Sequence, residues 1–174
     1  MRTEPPVAVS IRALADRLGT DRFVEVCSDL LEGAPRERYV AELRGLTRLD
    51  RLPDPRSWHD YWLRTWGARG LLHVWDDRAT PAVRHGLGDE HWRPVEMCLK
   101  VVAAHDVAGA GDRAAALTAH ERPRVRAQAL RALAVVGDTE HVAAVRDRLA
   151  DPDEAVRRQA ARALAALERR LDLA

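Results

Sequence analysis

Apolar residues recur three and four positions apart along almost the whole chain, and no stretch alternates apolar with polar as a strand would. Ile11, Leu14, Ala15 and Leu18 share a helical face, with Ser10 before them as a cap and Gly19 after them as a stop. Phe23, Val26, Cys27, Leu30 and Leu31 repeat the pattern between Thr20 and Gly33. Tyr39, Val40 and Leu43 predict a third helix over 36–46. Pro53 and Pro55 break the periodicity, so 47–56 reads as a connection, and residues 1–9 read as a Pro-containing lead-in. Ser57 followed by Asp60 resembles a capping box and predicts a helix running to Trp75. Thr80-Pro81 predicts the start of a helix to Leu87. Further helices are predicted over 91–105, 109–118, 123–136, 139–150 and 153–170, with Pro94 and Pro123 in first turns, where a missing N–H costs nothing.

The later helices repeat. Val95, Val125 and Val156, near the starts of long Ala-rich helices, are 30 and 31 residues apart. Leu87, Leu117 and Leu149, closing the short helices before them, are 30 and 32 apart. A period of this size predicts a stacked array of helix pairs, each burying its apolar face only against its neighbours. The expected architecture is therefore all-α and a single domain over 1–174. Residues 1–56 supply capping helices and a linker, and 57–174 supply the repeats. Val156, Ala160, Leu164, Leu167 and Leu171 predict one dry stripe on the last helix, with Arg158, Arg162 and Arg169 on the wet side, as a terminal helix needs.

Charge narrows the partners only slightly. The chain carries 28 basic and 27 acidic residues, a net charge of +1. Residues 1–56 hold ten of each, residues 57–121 seven basic and nine acidic, and residues 122–174 eleven and eight. No strong field for a polyanion follows from these numbers. All basic residues but Lys100 are arginine, a skew that fits coding bias in a GC-rich bacterial genome. Cys27 and Cys98 sit far apart in apolar helical patterns and read as reduced core residues. The N-terminal residues lack an apolar signal-peptide core, and no uncharged run is long enough to span a bilayer, so a cytoplasmic protein without membrane contact is expected.

The run Asp151-Pro152-Asp153-Glu154-Ala155-Val156-Arg157-Arg158-Gln159-Ala160-Ala161-Arg162-Ala163-Leu164 resembles the second helix of a HEAT repeat, specifically the HEAT-like repeats of the phycobilisome-lyase type. Pro123-Arg124-Val125-Arg126-Ala127-Gln128-Ala129-Leu130 resembles the same element, and Gly137-Asp138 the turn after it. The resemblance is clearest over 120–168. It implies an α/α superhelix with second helices on the concave side, and no activity. In the copy opening at Val95, Glu96 stands where arginine follows valine in the later copies. Asp151 reads as a helix cap, and Arg126 and Arg157 as arginines that reach an acid of a neighbouring turn, with Asp138 one candidate.

Candidate chemistry concentrates on two helices. Trp58, Trp62, Trp66, Arg69 and His73 fall near one face of the helix predicted over 57–75. Trp66 reads as core, and Gly67 and Gly70 as points of close packing. Trp58, Trp62, Arg69 and His73, with Trp92, Glu96 and Arg126, outline an expected concave face for a protein segment or a small apolar ligand, since Trp and Arg are common interface anchors. Asp76-Asp77 read as caps for the next helix. No catalytic residue is assigned and no cofactor is expected. The seven histidines lack zinc-motif spacing, so no metal is expected. Two other function classes fit parts of the chain. Trp92-Arg93-Pro94-Val95-Glu96, with Arg126 beyond, resembles the Trp-x-x-Val-Asp element of HEAT-like alkylpurine DNA glycosylases, with Glu for Asp; the near-neutral charge disfavours nucleic acid. His73 with Asp76 would serve a small-molecule enzyme or binding protein.

Overall fold

The computed structural model describes residues 6–172. Of the lead-in expected over 1–9, residues 1–5 lie outside those described, and the chain is already helical at Pro6. All regular structure among the described residues is helical, as the apolar periodicity requires. No described helix is long and apolar enough to cross a membrane. The chain divides into two compact units, Met1–Gly86 and Leu87–Ala174.

The first unit holds α1 (Pro6–Leu18), α2 (Thr20–Leu31), α3 (Val40–Thr47), α4 (Tyr61–His73) and α5 (Thr80–Gly86). Its core is built from Ile11, Phe23, Leu30, Leu31, Tyr39, Leu43, Leu46 and Leu71. Helices α2 and α4 form its closest pair. A Cβ on Gly67 would come within 2.5 Å of the Cys27 carbonyl oxygen, and one on Gly70 within 2.4 Å of Cys27 Sγ. Those two glycines set the approach of the pair. The helix predicted from Ser57 begins only at Tyr61 and ends at His73. Ser57 Oγ donates to the Asp54 carbonyl instead of capping, and Trp58 lies in the preceding loop. The Pro-rich connection is pinned to the unit. Leu52 is buried, Arg36 Nη1 donates to the Pro53 carbonyl at 2.9 Å, and the Arg36 guanidinium lies over the buried Trp58 ring.

The second unit holds α6 (Trp92–His105), α7 (Gly111–Leu117), α8 (Pro123–Val136), α9 (Val142–Asp147) and α10 (Glu154–Leu171). Helices α6, α8 and α10 stack side by side in chain order, while α7 packs on α8 and α9 on α10. Cys98, Leu99, Val101, Val102, Ala129, Leu130, Ala132, Leu133, Ala160, Ala163 and Leu167 fill the seams. Small alanines let the helices approach. On α10 Val156, Ala160 and Leu167 of the expected dry stripe are buried, but the buried face is turned toward Gln159 and Ala163 and away from Leu164 and Leu171. Ala163 and Leu167 are fully buried, whereas Leu164 is only half-buried.

The turns before α6, α8 and α10 fix the register. Their N-cap residues are His91, Arg122 and Asp153, 31 apart each time. Two residues before each cap, Asp89 Oδ1, His120 Nδ1 and Asp151 Oδ1 accept the cap residue's backbone N–H at 2.8, 3.0 and 3.0 Å. Counted from these turns, Val95 matches Arg126 and Arg157, and Glu96 matches Ala127 and Arg158. The valine-based alignment is therefore off by one residue in the first copy. Asp153 is the N-cap of α10, accepting from the N–H groups of Ala155 and Val156; Asp151, expected in that role, acts one turn earlier.

Candidate interaction groove

Because α6, α8 and α10 share one register, positions at equal distance from their caps line up across the stack. Two residues past the cap stand Arg93, Arg124 and Ala155; nine past it stand Lys100, Arg131 and Arg162. Between these rows lies a cavity of about 600 Å³, lined by Glu96, Lys100, Pro123, Arg124, Ala127, Gln128, Arg131, Asp153 and Ala155. The short side chains of Ala127 and Ala155 leave it open, and its charged walls come from three successive helices.

Glu96 is buried at one end, with Lys100 Nζ and Arg124 Nε each 2.8 Å from its Oε1. Burial alone would raise its carboxyl, but hydrogen bonds and charge from Lys100 and Arg124 outweigh that and hold it below the usual carboxylate range. It is an anion that positions cations. Beside it the half-buried Trp92 carries three guanidinium groups near its ring: Arg93 at 4.6 Å, Arg122 at 5.2 Å and Arg124 at 6.0 Å from the centroid. Such cation–π contacts concentrate positive charge around the indole.

Arg126 does not join this surface. It is buried, donating from Nε and Nη2 to both oxygens of Asp151 at 2.8 and 2.7 Å, and from Nη1 to the carbonyls of His120 and Glu121. Its acid is thus Asp151 of the following turn and not Asp138. The fork holds the Asp151 carboxyl below the usual range against the opposing effect of burial. Arg157 makes the matching contacts to the carbonyls of Asp151 and Pro152, six and five residues back. The positions that match the ion pair one repeat earlier are Val95 and His120, so this rung has no counterpart there.

The remaining expected residues belong to the first unit. Trp58 is covered by Arg36. Trp62, Arg69 and His73 are half-buried on α4. Trp66, expected in the core, is also half-buried, with the Arg69 guanidinium 5.0 Å from its ring centroid. Asp76, offered as an acid–base partner of His73, accepts from the backbone and side chain of Arg78 and so caps the next turn, as expected for a cap. Among the described residues Asp112, Glu140 and His141 come within metal-ligating reach of one another. His141 Nδ1 accepts the Asp138 N–H at 2.8 Å, which puts the ring proton on Nε2, 3.0 Å from Asp112 Oδ1. That nitrogen is a donor to Asp112 and offers no lone pair to a metal.

No sequence motif marks Lys100, Arg124, Gln128 or Arg131 as groove residues. The 31-residue register that aligns Lys100, Arg131 and Arg162 is present in the sequence, but the valines pointed to a different count.

Residues 112–173 match the family model for HEAT repeats. The match is to HEAT repeats as a group and does not single out the phycobilisome-lyase type. Among solved structures, the crystal structure of an engineered protein, a Northeast Structural Genomics Consortium target, is similar at a TM-score of 0.50 and 20% identity. The likeness covers 94% of this chain and 80% of that one, and at this identity it speaks for the fold alone. No curated protein matches.

Proposed function

Taking residues 112–173 as HEAT repeats, we propose that the protein is a non-catalytic interaction module whose second unit holds a protein segment against α6, α8 and α10. The observation that carries this reading is the open groove of about 600 Å³ with walls from three successive helices. An ordered segment lying across them would bury side chains against Ala127 and Ala155 and meet Arg124 and Arg131 at the edges. Trp92, with its ring of arginines, is the aromatic anchor of the site. Glu96 contributes by fixing Lys100 and Arg124, and Arg126 contributes to stability only. In the first unit, Trp62, Arg69 and His73 remain candidates for a partner surface, supported by the partly exposed Trp66–Arg69 stack. The cytoplasm is the proposed location, in keeping with two free buried thiols at Cys27 and Cys98.

A glycosylase-like role has less support. Residues 87–174 carry fourteen basic and fourteen acidic side chains, a difference of zero, where a groove that tracks a phosphate backbone needs excess positive charge. Arg126, the arginine that role would need, is committed to Asp151.

A photo-crosslinking amino acid at Ala127, on the groove, compared with one at the exposed Ala143 of α9, tests the proposal in cells. Discrete protein adducts from position 127 that are missing from 143 are expected. Equal adducts from both positions, or none from 127, would refute it.

A further inference from the structure

Among the described residues, Arg131 is the cation lining the groove that has no carboxylate partner. Its Nη1 donates to Gln128 Oε1 at 3.0 Å and its Nε to Gln159 Oε1 at 3.3 Å. Both glutamines are buried, at 4% and 9% exposure, on the neighbouring helices α8 and α10. Two buried amides therefore hold an exposed guanidinium in place without cancelling its charge. A guanidinium has five N–H groups, and this arrangement uses two of them. The other cations of the groove differ, since Lys100 and Arg124 are both tied to Glu96. Arg162 holds the position of Arg131 one repeat later, on the exposed side of α10, and likewise has no carboxylate partner among the described residues.

Resting on the proposed function above, we infer that the groove recognises an acidic, extended protein segment, with one carboxylate bound by Arg131 and a second directed at Arg162. A planar fork that is fixed before binding loses little entropy on capturing a carboxylate in two parallel bonds. Neighbouring stacked helices lie about 8–10 Å apart. An extended chain in the polyproline II form advances about 3.1 Å per residue and returns to the same face every third residue, so acids three residues apart fit the two cations. Glu96 and Asp153 on the groove wall, together with the zero net charge of the unit, disfavour a continuous polyanion and admit a segment with spaced charges.

The test pans a random dodecapeptide display library against the full-length protein and measures the best peptides, fluorescein-labelled, on variants checked by thermal melting. Arg131 is exposed, so Arg131→Gln and Arg131→Glu are expected to fold normally. Asp or Glu enriched at a fixed position, with a second about three residues away, is the expected result. Arg131→Gln then weakens binding about ten- to a hundred-fold. Panning on Arg131→Glu moves the preference at that position to Arg or Lys, and Arg131→Lys, which keeps the charge and loses the fork, restores only part of the affinity.

Ala127→Trp, which fills the groove, separates this inference from the function it rests on. Peptides displaced by Ala127→Trp but indifferent to Arg131→Gln would overturn the acidic-segment inference and leave the groove. Peptides that bind Ala127→Trp unchanged, or no enrichment at all, would overturn both. Binding of a fluorescein-labelled 20-nucleotide oligo-dT that weakens steeply with salt and is lost in Arg131→Gln would also overturn the inference, in favour of nucleic acid.

Discussion

Arg126→Met and Asp151→Ala, made singly and together, measure how strongly two successive repeats are tied by charge. The two side chains meet in a two-point fork at 2.8 and 2.7 Å, with 9% of the arginine side chain and none of the aspartate side chain exposed. Removing one partner of a buried pair costs about 3–5 kcal/mol, because the other charge is left in a dry seam. Asp151→Ala belongs near the low end of that range, since Arg126 keeps its bonds to the His120 and Glu121 carbonyls. Arg126→Met belongs higher. It frees those carbonyls and leaves Asp151 with the Asp153 N–H at 3.0 Å and Arg148 at 3.6 Å. In the double variant neither charge remains, so its cost should fall below the sum of the singles by about 1.5–3 kcal/mol. Urea unfolding followed by far-UV circular dichroism, with a common slope fitted to all four proteins, gives the cycle. Single losses below about 1 kcal/mol, or a double loss within about 0.5 kcal/mol of the sum, would refute the reading of this pair as the buried tie between repeats.

Leu167→Ala, at a fully buried position, should cost about 2–5 kcal/mol, and Leu164→Ala, half-buried, clearly less; comparing their melting temperatures checks the rotation of α10. Gly67→Ala should destabilise by about 1–3 kcal/mol, because its Cβ would meet backbone atoms of Cys27 and Leu31 at 2.5 and 2.9 Å that no rotamer change can move; an unchanged denaturation midpoint would refute the close approach of α2 and α4. Asp151 and Glu96 both bind protons less readily folded than unfolded, so acid favours the unfolded chain. Their stabilisation should be complete above about pH 5, begin to fade near the unfolded carboxyl range of about 4, and be lost as pH falls further through their lower folded values. Asp151→Asn should flatten that acid limb in pH-dependent melts.

Helix positions were legible in the sequence wherever the signal was local. Thr80-Pro81, Pro123 and the apolar rows of 91–105 and 123–136 each act within one or two turns, and the structure starts and stops helices near those marks. Ser57 failed as a start because Trp58 packs beneath Arg36, a contact 22 residues distant that local spacing cannot express. Trp66 lies at the edge of the core, where the Arg69 guanidinium of its own helix stacks on it, and apolar spacing alone does not distinguish that edge from the interior.

The sequence by itself determined that the chain is helical, that it repeats about every thirty residues, and that its thiols are buried, since periodicity and capping are properties of neighbouring residues. The tertiary structure alone decided the partner of Arg126, the half-exposure of Leu164, and the seat of Arg131 between Gln128 and Gln159. Each of these depends on the rotation of one helix against the next, and a turn of 100° per residue moves a side chain from seam to solvent with a one-residue change in register.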